Sequence, residues 1–238
     1  GNAPHGLIAY HSTGSGKTAT ALAALARALK GKNSRGLMIT PASLVTNVQK
    51  ERDKHGIRLN GPLDVMSYER AVRRANELRN THYDMVVLDE AHRLRNAGTK
   101  MSRELRPLLD KSDKVLMLTG TASYNHPADM LRLVNLLDKK VPAPKTNKEF
   151  ERAYVDDVRW RLKNKQKLSD MLGKYVDFYE TPKNSAEFPR ISRRVVNVDM
   201  SPEQVKLYRY LEQKLPLHLR HKVRNNLPMS LQESTNLN

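Results

Sequence analysis

A chain of 238 residues can bury one ordinary α/β core with room for an appended subdomain. Lysine and arginine outnumber aspartate and glutamate by 42 to 25, a formal charge of +17 that suits a polyanionic partner, although the same excess also keeps a basic protein soluble. The absence of cysteine excludes disulfides and thiolate metal sites, and no apolar run reaches bilayer-spanning length or follows a signal-peptide pattern.

Short apolar runs at Leu7–Tyr10, Gly36–Thr40, Asp64–Met66, Met85–Leu88 and Val115–Leu118 predict strands. Between them, helical patterns occupy Ala19–Lys30 (closed by Gly31), Ser43–His55, Glu69–Arg79, Thr99–Leu109 and Ala128–Leu137. Such alternation implies right-handed crossovers and an α/β fold, a central parallel sheet with helices on both faces. Pro142-Ala143-Pro144 interrupts it. Beyond that break Asn147–Lys174 reads as largely helical and Pro182–Pro189 as a loop. Arg193–Val198 reads as a strand, and Pro202–Lys214 as a helix with proline in its first turn. Leu227–Asn238 is polar and uncapped, a frayed or truncated end. The expected division is a lobe at 1–141, a mainly helical extension at 142–194 and the start of a further unit at 195–238. Charge does not single out a tail: residues 1–138 carry 21 basic and 13 acidic side chains, and residues 139–238 carry 21 and 12.

His11-Ser12-Thr13-Gly14-Ser15-Gly16-Lys17-Thr18 joins the first strand to the first helix. Close glycines let several backbone N–H groups converge on one anion, and the helix N-terminus adds its positive dipole end. Thr13, Gly14, Ser15, Gly16 and Lys17 are therefore the expected phosphate cradle, with the Lys17 ammonium on the phosphates and the Thr18 hydroxyl on magnesium. The first glycine usual in this motif is His11 here, so the loop is a variant. The chain lacks an initiator methionine and begins just before this loop, so it is expected to be part of something longer.

Asp89 and Glu90 follow the fourth apolar run, which places two carboxylates at the carboxyl edge of the sheet, where α/β proteins bind ligands. Asp89 is suited to hold magnesium, directly or through water, and Glu90 to accept a proton from the water that attacks the γ-phosphate. Thr119-Gly120-Thr121 ends the fifth run beside this site, and His92 can reach that loop or the phosphate region. Pro41-Ala42-Ser43 caps a helix after the second strand; such an N-terminus also suits backbone phosphates of a nucleic acid.

Asp89-Glu90-Ala91-His92-Arg93-Leu94-Arg95-Asn96 resembles the second motif of superfamily 2 helicases and translocases, and its Arg-Leu-Arg-Asn continuation is similar to that of SNF-type DNA translocases. Leu118–Ala122 resembles the third motif of that family, and Ile39–Leu44 its motif Ia. Phe188-Pro189-Arg190 and Val196–Tyr208 resemble the SNF-type stretch entering the second lobe. His-Ser-Thr-Gly-x-Gly-Lys-Thr and the later Met-Ser-x-x-Gln are similar to the nucleoside triphosphate phosphohydrolases of large DNA viruses and phages.

The resemblance implies a RecA-like ATP-binding lobe that uses ATP and Mg²⁺ and works inside the cell or virion. It further implies double-stranded DNA and a second helicase lobe as partners, the latter carrying an arginine finger. Lys17 and Glu90 are then the catalytic pair, while His92, Thr119, Gly120 and Thr121 couple nucleotide state to nucleic acid. Pro41, Ala42, Ser43, Ser67 and Tyr68 are the expected nucleic-acid contacts. An RNA helicase of the same superfamily and a non-hydrolysing scaffold lobe are the alternatives; the intact Lys17, Thr18, Asp89 and Glu90 oppose the scaffold. The basic stretch Arg159–Lys167, with the only tryptophan, Trp160, reads better as an exposed helix face than as a nucleic-acid grip.

Overall fold

The computed structural model describes residues 5–121, 126–156, 162–180, 194 and 196–225. The chain divides into two compact units, Gly1–Lys183 and Asn184–Asn238. The first is built on a six-stranded, wholly parallel sheet of order β3-β2-β4-β5-β1-β6. Its strands are β1 (Gly6–His11), β2 (Gly36–Thr40), β3 (Leu63–Ser67), β4 (Met85–Asp89), β5 (Val115–Thr119) and β6 (Val176–Tyr179). The chain winds outward from β1 to β3 and then returns through β4 and β5 to β6, on the far side of β1.

The three strands β2, β4 and β5 are buried at every position, as their uninterrupted apolar runs require of strands covered on both faces. Helices α1 (Lys17–Ala28) and α2 (Val45–Lys54) cover one face, where Ala21, Leu22, Leu25 and Val48 meet Ala9, Met38, Val87 and Leu118. The other face carries α3 (Tyr68–Arg73), α4 (Ala75–Asn80), α5 (Lys100–Lys111), α6 (Ala128–Leu137), α7 (Asn147–Tyr154) and α8 (Lys165–Leu172). Leu105, Leu108, Leu131, Val134, Phe150 and Leu168 pack there on Ile8, Ile39, Leu88 and Met117. This is the RecA-like arrangement the motifs imply.

Several elements differ from expectation. The helix read over Glu69–Arg79 is two short ones, because the backbone leaves helical geometry at Arg74 (φ −99°, ψ 15°). Asn147–Lys174 is not one helical stretch: after α7 an isolated antiparallel bridge joins Val155 to Leu162, and Lys163 N–H donates to the Tyr154 carbonyl at 2.8 Å. Trp160 and its neighbours 157–161 lie outside the described residues, while Lys165 and Lys167 open the exposed side of α8. The expected loop Pro182–Pro189 and the end Leu227–Asn238 also lie outside them.

Strand β6 has no counterpart among the apolar runs of the sequence. It is short and carries Asp177, and it becomes a strand by pairing along the open edge of β1, opposite Ile8 to His11. It lies in the stretch 142–194, so the first unit reaches past Pro142. The strand expected at Arg193–Val198 is absent from its described residues 194 and 196–198. Val196 and Val198 are exposed, and a strand needs a ladder partner that none of the described residues supplies.

The second unit contains α9 (Pro202–Gln213) and α10 (Leu217–Arg224). A capping box opens α9: Ser201 Oγ accepts from Gln204 N–H at 3.3 Å, and Gln204 Oε1 accepts from Ser201 N–H at 2.9 Å. Arg224 ties the two helices through Glu212, Nε to Oε1 at 2.6 Å.

Candidate nucleotide-binding site

The loop between β1 and α1 owes its shape to two glycines. Gly14 (φ 78°) and Gly16 (φ 79°) occupy the left-handed region, where any side chain is strained although open space surrounds both. Gly16 is the residue from which α1 starts; no described side chain caps this N-terminus, and its first turn holds no acidic residue. The first N–H groups and the positive dipole end are therefore available to an anion. Lys17 Nζ folds back over the loop and donates to the carbonyls of His11 (3.3 Å) and Ser12 (3.1 Å). The Ser15 hydroxyl is buried and has no partner among the described residues, an orphan that a phosphate oxygen would satisfy. Thr13 is exposed and Thr18 half-buried at the loop's two ends.

Asp89 lies at the carboxyl end of β4 and is only 5% exposed. A buried carboxylate is costly unless its oxygens are satisfied. Here Oδ2 accepts from the Thr40 hydroxyl at 2.8 Å and Oδ1 from Glu90 N–H at 3.1 Å. Tyr68, fully buried, donates its hydroxyl to the Asp89 carbonyl at 2.7 Å and so fixes the backbone of the same residue. The next residue, Glu90, is held at φ 52°, a conformation unusual for a non-glycine residue, which turns the chain sharply out of the strand.

Glu90, His92 and the loop after β5 form one hydrogen-bonded cluster. His92 Nδ1 lies 3.1 Å from Glu90 Oε2, 3.3 Å from Thr119 Oγ1 and 3.3 Å from Thr121 Oγ1. Thr121 N–H donates to Thr119 Oγ1 at 3.1 Å, which holds the loop closed on itself. Burial holds the His92 imidazole below its ordinary pKa, against the opposing pull of the Glu90 carboxylate. The same loop reaches the phosphate side: a Cβ on Gly120 would sit 3.4 Å from Lys17 Nζ and 3.5 Å from the His11 carbonyl. Thus the phosphate loop, the third-motif loop and the carboxylate pair meet at one edge of the sheet.

The outer flank of the loop is formed by β6. His11 Nε2 lies 2.8 Å from Asp177 Oδ2, and Ser12 N–H donates to the Tyr179 carbonyl at 3.0 Å. The residue that departs from the usual glycine is thus the one anchored to the edge strand. Sequence reasoning missed Thr40, Asp177 and Tyr179. Thr40 lies within the motif Ia stretch, where a polar residue ending an apolar strand was the available signal. Asp177 and Tyr179 carried none.

Among the nucleic-acid candidates, Pro41 caps a 3-10 turn, Ala42–Leu44, in which Ala42 and Ser43 are exposed beyond β2. Ser67 caps α3, its Oγ accepting from Arg70 N–H at 3.2 Å. Tyr68 corrects the expectation: a fully buried side chain cannot meet a nucleic acid, and its ring lies under the Arg93 guanidinium, 5.0 Å from the centroid. Arg93 also pairs with Glu69 at 3.0 Å. Arg95 donates to the His92 carbonyl at 2.9 Å and lies 3.6 Å from the buried Asp129. The arginines after the acidic pair are therefore braces between this turn and helices α3 and α6. No helix among the described residues is long and apolar enough to cross a membrane.

The profile of the SNF2-related domain matches residues 49–236, beginning downstream of the phosphate loop. A protein of Acanthamoeba polyphaga mimivirus named as an ATP-dependent RNA helicase is 25% identical over 207 residues, covering 86% of this chain and 45% of its own. The ATP-dependent DNA helicase DDM1 of Arabidopsis thaliana is 39% identical over 90 residues, 36% of this chain and 12% of its own. In structure, the chain is similar to the Sulfolobus solfataricus SWI2/SNF2 ATPase core solved in complex with double-stranded DNA. The TM-score is 0.58 at 20% identity, covering 98% of this chain and 53% of the other. The chain thus spans about half the length of these two fuller matches, and less of DDM1.

Proposed function

Because this chain belongs to the SNF2-related domain family, we propose that it is the ATP-binding lobe of a superfamily 2, SNF-like ATPase that moves on double-stranded DNA. The observation that carries the reading is the convergence of Lys17, Gly120, Asp89, Glu90 and His92 at the carboxyl edge of one parallel sheet. Gly14, Ser15, Gly16 and the first N–H groups of α1 receive the phosphates, and Lys17 exchanges its loop carbonyls for phosphate oxygens. Phosphoryl transfer needs positioning and charge stabilisation above all, and these groups provide both.

The hard oxygen donors of Thr18 and Asp89 suit Mg²⁺, which when bound neutralises phosphate charge. Glu90 orients the attacking water and takes its proton. His92 then transmits the state of Glu90 to Thr119 and Thr121, and so to the nucleic-acid side. The exposed Ala42 and Ser43, with Pro41 and Ser67 beside them, meet the DNA backbone. Double-stranded DNA is favoured as partner by the net charge and by the DNA-bound structural neighbour. A second lobe supplies an arginine to the γ-phosphate, and the protein works inside the cell or a virion.

Hydrolysis by the full-length protein, measured with double-stranded DNA, single-stranded DNA and RNA, tests this reading. Duplex DNA should stimulate most, with binding that weakens steeply with salt and ignores sequence. Lys17→Ala should abolish turnover; wild-type turnover in that variant would remove the loop from the site. Stimulation by RNA alone would place the chain with the RNA helicases.

A further inference from the structure

We propose that the edge strand β6, through the Tyr179 ring, is the platform on which the base of the bound nucleotide stacks. This rests on the phosphate-loop reading above and extends it to the other end of the nucleotide. The carboxylates Asp89 and Glu90 end β4, and the sheet order puts β5 with its Thr119–Thr121 loop between β4 and β1. The terminal phosphate must therefore face the β5 side of the loop. A nucleotide held that way extends its ribose and base toward the other neighbour of β1, which is β6. Neighbouring strands lie about 4.8 Å apart, so β6 is within reach of the nucleoside.

The residues of β6 fit that role. Tyr179 stands opposite His11 in the ladder, and its carbonyl accepts from Ser12 N–H at 3.0 Å, so the residue is bound to the phosphate loop itself. Its ring meets the His11 imidazole edge-on, centroids 5.8 Å apart at 69°. His11 is in turn fixed by Asp177 at 2.8 Å. Strand alternation puts Asp177 and Tyr179 on the His11 side of the sheet, while Phe178 turns to the opposite face against Tyr10, centroids 5.3 Å apart. Helix α1 packs over β4 and β5 and Ala9 and His11 of β1 are buried, whereas among the described residues Tyr179 is 48% exposed and Leu7 38%.

An aromatic ring fixed through its backbone at the mouth of a phosphate loop offers a face to any base. The charge agrees. Asp177, with 60% of its side chain exposed, repels phosphate from this flank and can accept from a ribose hydroxyl or an exocyclic amine.

The test titrates ADP and, separately, inorganic tripolyphosphate into the 238-residue chain and its variants by calorimetry. Tyr179→Ala should bind ADP about tenfold more weakly and tripolyphosphate as before, and Tyr179→Phe should bind both like wild type. Unchanged ADP affinity in Tyr179→Ala would put the base elsewhere and overturn the proposal. Equal losses for both probes would overturn it too, reducing the ring to a support for the loop. Lys17→Ala separates this from the underlying reading: if both probes still bound that variant like wild type, the phosphate site itself would be wrong.

Discussion

The two flanks of β1 are built by different means. On the β5 side the contacts are between side chains at the ends of buried strands: Thr40 on Asp89, Glu90 on His92, His92 on Thr119 and Thr121. On the β6 side they are backbone ladder bonds and ring contacts, with His11 and Asp177 the one side-chain hydrogen bond between the two strands among the described residues. The first flank lies in a region where a lost hydrogen bond leaves a carboxylate uncompensated. The second is more open: the Asp177 side chain is 60% exposed, which screens its pair with the buried His11. The contrast separates a flank of buried, cross-linked polar side chains from one held mainly by backbone pairing and exposed at its edge.

The largest effect expected on this contrast is on turnover. Glu90→Gln in the full-length protein should retain ATP but slow its cleavage by roughly 10²–10⁴, the usual range for a lost general base. Normal hydrolysis in that variant, with Asp89→Asn inactive, would mean the carboxylates have each other's roles.

Stability comes next. Thr40→Val keeps the shape but removes the hydroxyl donated to buried Asp89, and should cost about 1–3 kcal/mol in chemical denaturation. Asp177→Ala, at the exposed rim, should cost less than about 1 kcal/mol. Equal costs would erase the distinction between the flanks.

The smallest effect is a pH dependence. Burial lowers the His92 pKa below its ordinary 6.5, so the folded chain takes up a proton less readily than the unfolded one. The contribution of this group is complete above about pH 6.5 and is lost as pH falls toward the lower folded value. Denaturation midpoints followed from about pH 7.5 to about pH 5 should decline less steeply in His92→Gln than in wild type. An identical decline would show that His92 does not titrate differently on folding.

How much of the site was legible depended on whether its parts declare themselves locally. Gly14 and Gly16 did, because their φ values of 78° and 79° are ones that glycine adopts without strain. Asp89 and Glu90 did, because two charges that close an apolar run must stand where the buried strand ends, at the edge that meets ligands. Tyr68 did not, because nothing in its neighbourhood of the sequence says that its ring turns under Arg93 and its hydroxyl toward β4. That choice is made by packing between α3 and residues more than twenty positions away.

The sequence by itself determined the first five strands, the helices that cross between them, the phosphate loop and the acidic pair. These follow from apolar runs, backbone freedom at glycine and charge, all of which act over a few neighbouring residues. Only the tertiary structure decided which groups stand behind them. Thr40 reaches Asp89 from another strand, and His92 joins two loops separated by a helix. Val176–Tyr179 becomes a strand because β1 offers a row of unpaired backbone groups along its outer edge. A hydrogen-bonding edge carries no signature in the sequence of the segment that will satisfy it, and so β6, with the face it lends to the loop, emerges only when the chain is folded.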